Sequence, residues 1–200
     1  MIRSPVLALI PLALAFSLSV VAGEEAPKMS PEEQAMMEAF VKAGTPGAQH
    51  ARMAKAAGSY MITVKSWQQP GAEPTVDQGT VTRRVILDGR VMVEEMSSSM
   101  GGQPFSGFGL SGFNNVTGKH WSTWNDSMST GLMVAEGDCD DAGACRFTGS
   151  WDDPISKAKV NARMTSNWSD ADTETFAMFA PGPDGKEFQM MEIRYRRQKP

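Results

Sequence analysis

From Gly58 onward, apolar and polar residues alternate with a period of two, and short turns interrupt the alternation at regular intervals. Successive side chains of a β-strand point to opposite faces, so this period predicts strands rather than helices. Turns such as Asp88-Gly89 and Pro183-Asp184-Gly185 are typical of tight connections between antiparallel strands. Parallel strands would need long crossover segments, and the sequence offers none. The chain therefore predicts about ten antiparallel strands joined in sequential order.

A meander of this length has two edge strands, and closing it into a barrel pairs them with each other. We therefore expect a mainly β fold, an antiparallel meander closed into a barrel of about 8–10 strands, which is wide enough to hold a small ligand. A flat or two-layer sheet remains the alternative. Ahead of the strands, Ser30-Pro31-Glu32-Glu33 predicts a helix start with a capping box. A second short helix is expected over residues 48–57.

The beginning of the chain differs in composition from the remainder. Arg3 precedes an apolar run from Pro5 to Ala22, and small residues end that run. This arrangement is typical of a secretory signal peptide. A retained membrane anchor is the alternative, although the run is short and Pro11 interrupts it. We expect three parts: a signal peptide (1–23), a leader with a helical segment (24–58) and the barrel (59–197).

The two cysteines fit an exported protein. Cys139 and Cys145 are the only cysteines of the chain, and a short polar segment separates them. In an oxidising compartment they would form a disulfide that closes a small hairpin loop. No cysteine lies near the cleavage site to carry a lipid. We therefore expect a periplasmic or secreted protein without stable membrane insertion after signal cleavage.

Charge and metal-ligand spacing exclude several classes of partner. The formal net charge is −4, and the only basic cluster lies at the very end of the chain, which argues against nucleic acid as a partner. His50 and His120 lack the spacing of metal motifs, and the 15 methionines form no dense Cu(I)-binding motif. We expect no metal and no cofactor. The sequence leaves the oligomeric state open.

The segment Gly118–Leu132 combines aromatic and polar residues more closely than any other strand. Its period of two places five side chains on one face: His120, Ser122, Trp124, Asp126 and Met128. A face of mixed polarity predicts a strand that lines a partly polar cavity. Asp126 either contacts a ligand there or accepts hydrogen bonds that fix the strand.

Five residues are candidates for ligand binding: Tyr60, Trp124, Asp126, Glu192 and Arg194. We expect the aromatic rings of Tyr60 and Trp124 to supply stacking area. Asp126 and Arg194 would orient a polar end of the ligand. Glu192 on the last strand is a candidate partner for Asp126, because a closed barrel brings its last and early strands together.

Several segments resemble a known bacterial family. They are, in order, Gly44-Thr45-Pro46-Gly47, Leu87-Asp88-Gly89-Arg90, Gly102-Gln103-Pro104-Phe105, Thr123-Trp124-Asn125-Asp126-Ser127-Met128, Trp151-Asp152-Asp153-Pro154 and Pro183-Asp184-Gly185-Lys186-Glu187. Together they resemble the family called domain of unknown function 1579 (DUF1579), over roughly residues 39–197. The resemblance implies a lipocalin-like, calycin-type β-barrel in an exported or soluble bacterial protein, and it implies no reaction. Tyr60 and His120 depart from the family, which usually has Trp at the first position and Tyr or Phe at the second.

The sequence leaves three functions open. We favour non-covalent binding of a small apolar or amphipathic ligand within the barrel, and we favour binding over catalysis. The first alternative is a carboxylate-dependent isomerase or hydrolase that uses Asp126 and Glu192. The second alternative is a structural or protein-interaction module, in which the helical segment Ser30–Ala57 forms the partner surface.

Overall fold

The computed structural model describes residues 29–199, and ten β-strands lie between Gly58 and Arg197. The expected signal peptide lies outside the described residues. By packing, the chain divides after Met37, and the strands belong to the second unit. The elements are α1 (Pro31–Gly44), α2 (Ala48–Ala54), β1 (Gly58–Ser66), β2 (Thr75–Ile86), β3 (Val91–Met100), β4 (Gln103–Asn114), β5 (Lys119–Asp126), β6 (Met133–Cys139), β7 (Cys145–Asp152), β8 (Lys159–Trp168), β9 (Thr173–Pro181) and β10 (Glu187–Arg197).

The strands form a closed antiparallel barrel, as the alternation predicts. Each strand pairs with its neighbours in sequence, and β1 closes the barrel by pairing with β10. In this closing pair, Ile62 lies opposite Tyr195. Closure leaves none of these ten strands with an unpaired edge, which is the physical reason that a long meander adopts it. The expected mainly β barrel is confirmed, and the alternative of a flat or two-layer sheet is excluded.

The turn between β2 and β3 shows how local sequence sets the strand register. Asp88 and Gly89 both have positive φ, 51° and 93°, and the backbone N–H of Arg90 donates to the carbonyl of Leu87 at 3.2 Å. This is the type I′ geometry that matches the twist of antiparallel strands. It places Arg83 of β2 directly opposite Glu94 of β3.

The helix α1 begins with the expected capping box. Ser30 N–H donates to the Glu33 carboxylate at 2.7 Å, and Glu33 N–H donates to the Ser30 hydroxyl at 3.3 Å. No residue of α1 is buried, and the apolar stripe formed by Met36, Met37, Phe40 and Val41 is exposed, with Phe40 at 72%. The helix therefore leaves its apolar stripe in contact with solvent.

The helix α2 is fastened to the barrel by a buried histidine. His50 Nδ1 accepts from the backbone N–H of Gly47 at 3.1 Å, so its Nε2–H donates to the carbonyl of Phe113 on β4, also at 3.1 Å. The helix ends at Ala54, earlier than expected, and residues 55–57 continue in a tighter turn whose N–H groups bond three residues back. His50 therefore caps the start of α2 and packs this helix against the barrel.

Candidate functional site

The polar and aromatic face of β5 points into the barrel. Trp124 lies opposite Gly109 of β4, and Asp126 lies opposite Gly107. A Cβ atom at Gly107 would lie 2.1 Å from Trp124 Cζ2, and one at Gly109 would lie 3.0 Å from Trp124 Cε3. The two glycines therefore make room for the indole ring to lie against the backbone of β4. The close approach explains why this strand of the barrel is rich in glycine.

A cavity of about 1130 Å³ occupies the barrel. Met128 and Leu132, in the loop that follows β5, are exposed and line the cavity. The cavity therefore opens to solvent at the end of the barrel that carries this loop. Most of its wall is apolar and aromatic, with rings and thioethers from many strands. Representative wall residues are Met96, Phe105, Trp124, Phe147, Met164 and Phe176.

At the other end, beneath α2, the cavity meets a buried charged cluster. Arg83 Nε donates to Glu94 Oε2 at 2.5 Å, and Arg83 Nη1 donates to Glu174 Oε2. The side chains of Arg83 and Glu174 are each 8% exposed, and that of Glu94 is 19% exposed. We call Arg83, Glu94 and Glu174 the interior charge cluster. All three residues line the cavity.

Neutral hydroxyl groups complete the interior charge cluster. The Tyr195 hydroxyl donates to Glu94 Oε1 at 3.3 Å, and the Ser166 hydroxyl donates to Glu174 Oε1 at 2.5 Å. Burial raises the pKa of Tyr195 well above 10, and the negative charge of Glu94 adds to that shift. Burial alone would lower the pKa of Arg83, but Glu94 and Glu174 outweigh it and hold that pKa well above its usual value.

The guanidinium of Arg83 also lies between two aromatic rings. Its Cζ is 5.1 Å from the ring centroid of Tyr60 and 4.4 Å from that of Tyr195. Cations over aromatic faces gain electrostatic attraction, and the gain is larger where water is excluded. Two carboxylates and two aromatic rings therefore surround the guanidinium of Arg83.

The barrel end beneath α2 is tied to the turn that follows this helix. The Tyr60 hydroxyl donates to the carbonyl of Ala56 at 2.7 Å. Arg197 on β10 donates to the carbonyls of Ala57 and Lys55 at 2.6 and 2.9 Å. These bonds satisfy carbonyl groups that the end of α2 leaves without helical partners. They hold α2 over the end of the cavity that carries the interior charge cluster.

The family model for DUF1579, described as a protein of unknown function, matches residues 45–197. The chain belongs to DUF1579. The resemblance noted from the sequence is thereby confirmed over a range that includes all ten strands of the barrel.

Among solved structures, this DUF1579 protein is similar to the crystal structure of Rv2717c from M. tuberculosis. The two are 11% identical with a TM-score of 0.60, and the match covers 78% of this chain and all of Rv2717c. At this identity the likeness concerns the fold alone. A redesigned beta barrel also matches, with 11% identity, a TM-score of 0.39, and coverage of 79% of this chain and 96% of the design. No curated protein matches the chain.

Two of the five expected site residues lie together in the cavity wall of this DUF1579 protein. Trp124 Nε1 donates to Asp126 Oδ2 at 3.2 Å, and Asp126 Oδ1 accepts from the backbone N–H of Met128 at 2.9 Å. Both residues line the cavity. The Asp126 carboxylate therefore takes part in a local hydrogen-bond network that orients the indole ring.

Tyr60 was expected to offer its ring to a ligand, but the ring is enclosed by other side chains. It is fully buried, with its hydroxyl bonded to Ala56 and its ring packed between Arg83 and Arg197. Burial raises the pKa of Tyr60, and the positive charge of Arg83 opposes that shift. Tyr60 thus packs against Arg83 of the interior charge cluster.

Glu192 and Arg194 lie on the outer face of β10, which differs from the expected arrangement. Glu192 forms an ion pair with Lys65 at 3.5 Å on the surface, and Arg194 is exposed. The neighbouring Ile193 and Tyr195 are buried inside the barrel. Because side chains alternate along a strand, the residues flanking Ile193 must face outward. The structure therefore does not bring Glu192 or Arg194 together with Asp126.

The three residues of the interior charge cluster were not among the candidates predicted from the sequence. One signal was available, because Glu94 shares a strand face with Met92 and Met96. A charged residue between two apolar neighbours on one face marks a buried polar group. The Asp88-Gly89 turn sets Arg83 opposite Glu94 and could have indicated this partner. Glu174 could not be named from the sequence, since it belongs to a strand far along the chain.

The two cysteines form the expected disulfide. Cys139 and Cys145 are bonded, which confirms the pairing and fits an extracellular or periplasmic protein.

Within residues 29–199, no group of three or more His, Cys, Asp or Glu side chains is placed to hold a metal ion. His120 Nε2 is buried without a hydrogen-bond partner among the described residues. In the same described part of the chain, no helix has the length and apolar character that a membrane crossing requires.

Proposed function

We propose that this DUF1579 protein binds a small apolar or amphipathic molecule inside its barrel. The observation that carries the proposal is the cavity of about 1130 Å³, whose wall is largely apolar. Sites for small molecules are typically concave, mostly apolar spaces of roughly 300–1,000 Å³ with a few polar groups that fix orientation. This cavity has that character, and it is large enough for a molecule of about lipid or drug size.

Trp124 and Asp126 are the proposed contacts in the open half of the cavity. The indole ring offers a flat apolar surface, and its bond to Asp126 together with the glycines of β4 holds it in place. A rigid aromatic surface loses little conformational entropy when a ligand binds. We therefore assign the stacking role expected for this strand to Trp124.

We favour binding over catalysis because Asp126 and Glu192, the carboxylates that an enzyme was expected to use, lie on opposite sides of the barrel wall. Asp126 lines the cavity and Glu192 lies on the outer face. Two groups that act together as acid and base must both lie within hydrogen-bond reach of the same substrate. The placement of these two carboxylates on opposite faces of the barrel wall supports binding over the isomerase or hydrolase that would use them together.

Titration with N-phenyl-1-naphthylamine, a neutral dye whose fluorescence rises in apolar surroundings, tests the proposal. We expect saturable binding to the parent protein. Ser122 faces the cavity from β5, and Ser122→Phe would fill part of that cavity. This variant should bind the dye at least about tenfold more weakly, because the dye would then bury less apolar area. The matched control, Thr82→Phe on the exposed face of β2, should bind as the parent does. Equal binding by all three proteins, or none by the parent, would refute the proposal.

We also propose that residues 1–23 are removed on export and that the mature chain comprises the leader and helical segment (24–58) and the barrel (59–197). The charged start, the apolar run and the small residues before Gly23 support this interpretation. Intact-mass analysis of protein recovered from the periplasm should give a chain that starts at Glu24. A full-length chain in the membrane fraction would show instead that the segment is retained as an anchor.

A further inference from the structure

The interior charge cluster carries more negative than positive charge. Arg83 is its single cation, and it is shared by the two carboxylates of Glu94 and Glu174. Removing an ion from water is costly unless an opposite charge or hydrogen bonds compensate it. One guanidinium cannot neutralise two carboxylates, so the cluster has one negative charge in excess at the end of an apolar cavity.

The surrounding side chains do not supply the missing positive charge. Tyr195 and Ser166 donate hydrogen bonds but are neutral. Arg197 stands on the far side of the Tyr60 ring, with its Cζ 4.9 Å from the ring centroid, and its charge is matched by Asp172 at 3.6 Å. The local charge imbalance therefore persists after this neighbouring cation is counted.

Glu94 is the member of the cluster that presents its carboxylate to the cavity. Its side chain is 19% exposed although β3 points it into the barrel, whereas Arg83 and Glu174 are each 8% exposed. Each of its oxygens accepts one hydrogen bond, from Arg83 and from Tyr195. A carboxylate offers about four lone-pair positions. Glu94 can therefore accept a further donor from a molecule in the cavity.

The walls next to Glu94 suit a positively charged group as well as an apolar one. Trp168 and Phe176 line the cavity and pack against the same core as Tyr195. The faces of aromatic rings attract cations, and do so more strongly when water is excluded. Acidic side chains also outnumber basic ones along the cavity lining, which lowers the free energy of a cation there relative to that of an anion.

We propose that the ligand is an amphiphilic amine, whose protonated ammonium group donates to Glu94 while its apolar part extends along the aromatic and methionine walls. This inference rests on the proposed function, and it specifies the polar end of the molecule. The ammonium group supplies the positive charge that the interior charge cluster lacks. A carboxylate at the same place would add a third negative charge beside two that share one cation.

Three probes with the same twelve-carbon chain test the inference: dodecylamine, dodecanol and dodecanoate. Each is used at pH 7 at a concentration below that at which it forms micelles or aggregates. They are measured by displacement of N-phenyl-1-naphthylamine, with circular dichroism as a check that the barrel stays folded. We expect dodecylamine to bind about tenfold or more tightly than dodecanol, because a hydrogen bond between two charged groups is stronger than one from a neutral hydroxyl. Dodecanoate should bind most weakly.

The variant Glu94→Gln keeps the size of the side chain and removes its charge. It should bring the affinity for dodecylamine close to that for dodecanol. Glu95→Gln is the matched control, because Glu95 lies on the outer face of the same strand and pairs with Arg84 at 3.9 Å on the surface. The control should keep the full preference for the amine. If Glu94→Gln does not fold, the three probes on the parent protein decide the question alone.

The outcomes separate this inference from the proposed function. If the dye binds and dodecanol or dodecanoate displaces it as well as dodecylamine does, the amine is refuted and the binding cavity stands. If Glu94→Gln folds and retains the preference for the amine, the assignment to Glu94 is refuted. If the dye does not bind the parent protein, both proposals are refuted.

Discussion

Arg83 of β2 donates to the carboxylate of Glu174 on β9 inside the barrel, although 91 residues separate the two along the chain. The same guanidinium bonds Glu94, its direct neighbour on β3. The β2 and β9 strands lie on either side of the β1–β10 pair that closes the barrel. The interior charge cluster is therefore complete only when the barrel has closed, and it links the first and last parts of the fold.

Replacing Arg83 with Met should destabilise the protein by about 3–5 kcal/mol, because it leaves two buried carboxylates without their cation. Urea denaturation gives the free energy of unfolding. The control is Arg84→Met on the outer face, where the pair with Glu95 spans 3.9 Å and both side chains are about half exposed. An exposed pair contributes little, so this variant should lose no more than about 0.5 kcal/mol. Similar losses in the two variants would show that burial of Arg83 contributes little to stability.

The two tyrosines should resist ionisation until the barrel unfolds. Tyr60 and Tyr195 are the only tyrosines of the chain and both are buried, and burial raises the pKa of each. Above pH 10 the unfolded chain releases these protons while the folded chain retains them, so stability should fall as pH rises beyond 10. Tyrosinate absorbance should appear only as the circular dichroism of the fold is lost. In urea it should appear near pH 10, and the same midpoint in the folded protein would contradict the prediction.

A methyl group at Gly107 should displace the Trp124 indole. Because the added Cβ would lie 2.1 Å from the ring, Gly107→Ala should cost about 1–3 kcal/mol through overpacking. Gly109→Ala should cost less, since its Cβ would meet the ring at 3.0 Å. Gly44→Ala is the control, because nothing lies within 4 Å of a Cβ at that position. Thermal unfolding should rank the three variants in this order, and a Gly107→Ala protein as stable as the parent would show that the indole does not lie against β4.

His120 should remain neutral at pH values where a free histidine is half protonated. Burial lowers its pKa below 6.5, and the nearby positive charge of Arg52 adds to the effect. Below pH 6.5 the unfolded chain therefore binds more protons than the folded one, so stability should decrease as pH falls. His120→Phe removes the buried Nε2 that lacks a partner among the described residues. Its gain in melting temperature over the parent should be larger at pH 5 than at pH 8, and an equal gain at both would exclude titration of His120 as the cause.

Prediction from the sequence succeeded where the structure depends on neighbouring residues. The period of two, the Asp88-Gly89 turn and the Ser30–Glu33 capping box each involve residues a few positions apart. The Cys139–Cys145 disulfide likewise closes a short loop. Local geometry limits such features to few arrangements, so the order of the strands and the mixed face of β5 could be predicted from the sequence alone.

The site was predicted only in part, because its contacts join residues that are distant in sequence. Trp124 and Asp126 were placed correctly on one face, since strand alternation determines that relationship. Glu192 and Arg194 were assigned to the cavity from their charge, but which face of β10 turns inward depends on the pairing of that strand with β1 and β9. Alternation alone defines two faces without saying which of them is inside.

By itself, the sequence determined a long antiparallel meander, its turns and its disulfide, because these follow from interactions between residues close together in the chain. Only the tertiary structure decided that Arg83, Glu94 and Glu174 meet beneath α2, and that all three line a cavity of about 1130 Å³. The physical reason is barrel closure. Strand stagger and the inward direction of each side chain are set when β1 pairs with β10, and no local pattern specifies which distant charges then face one another.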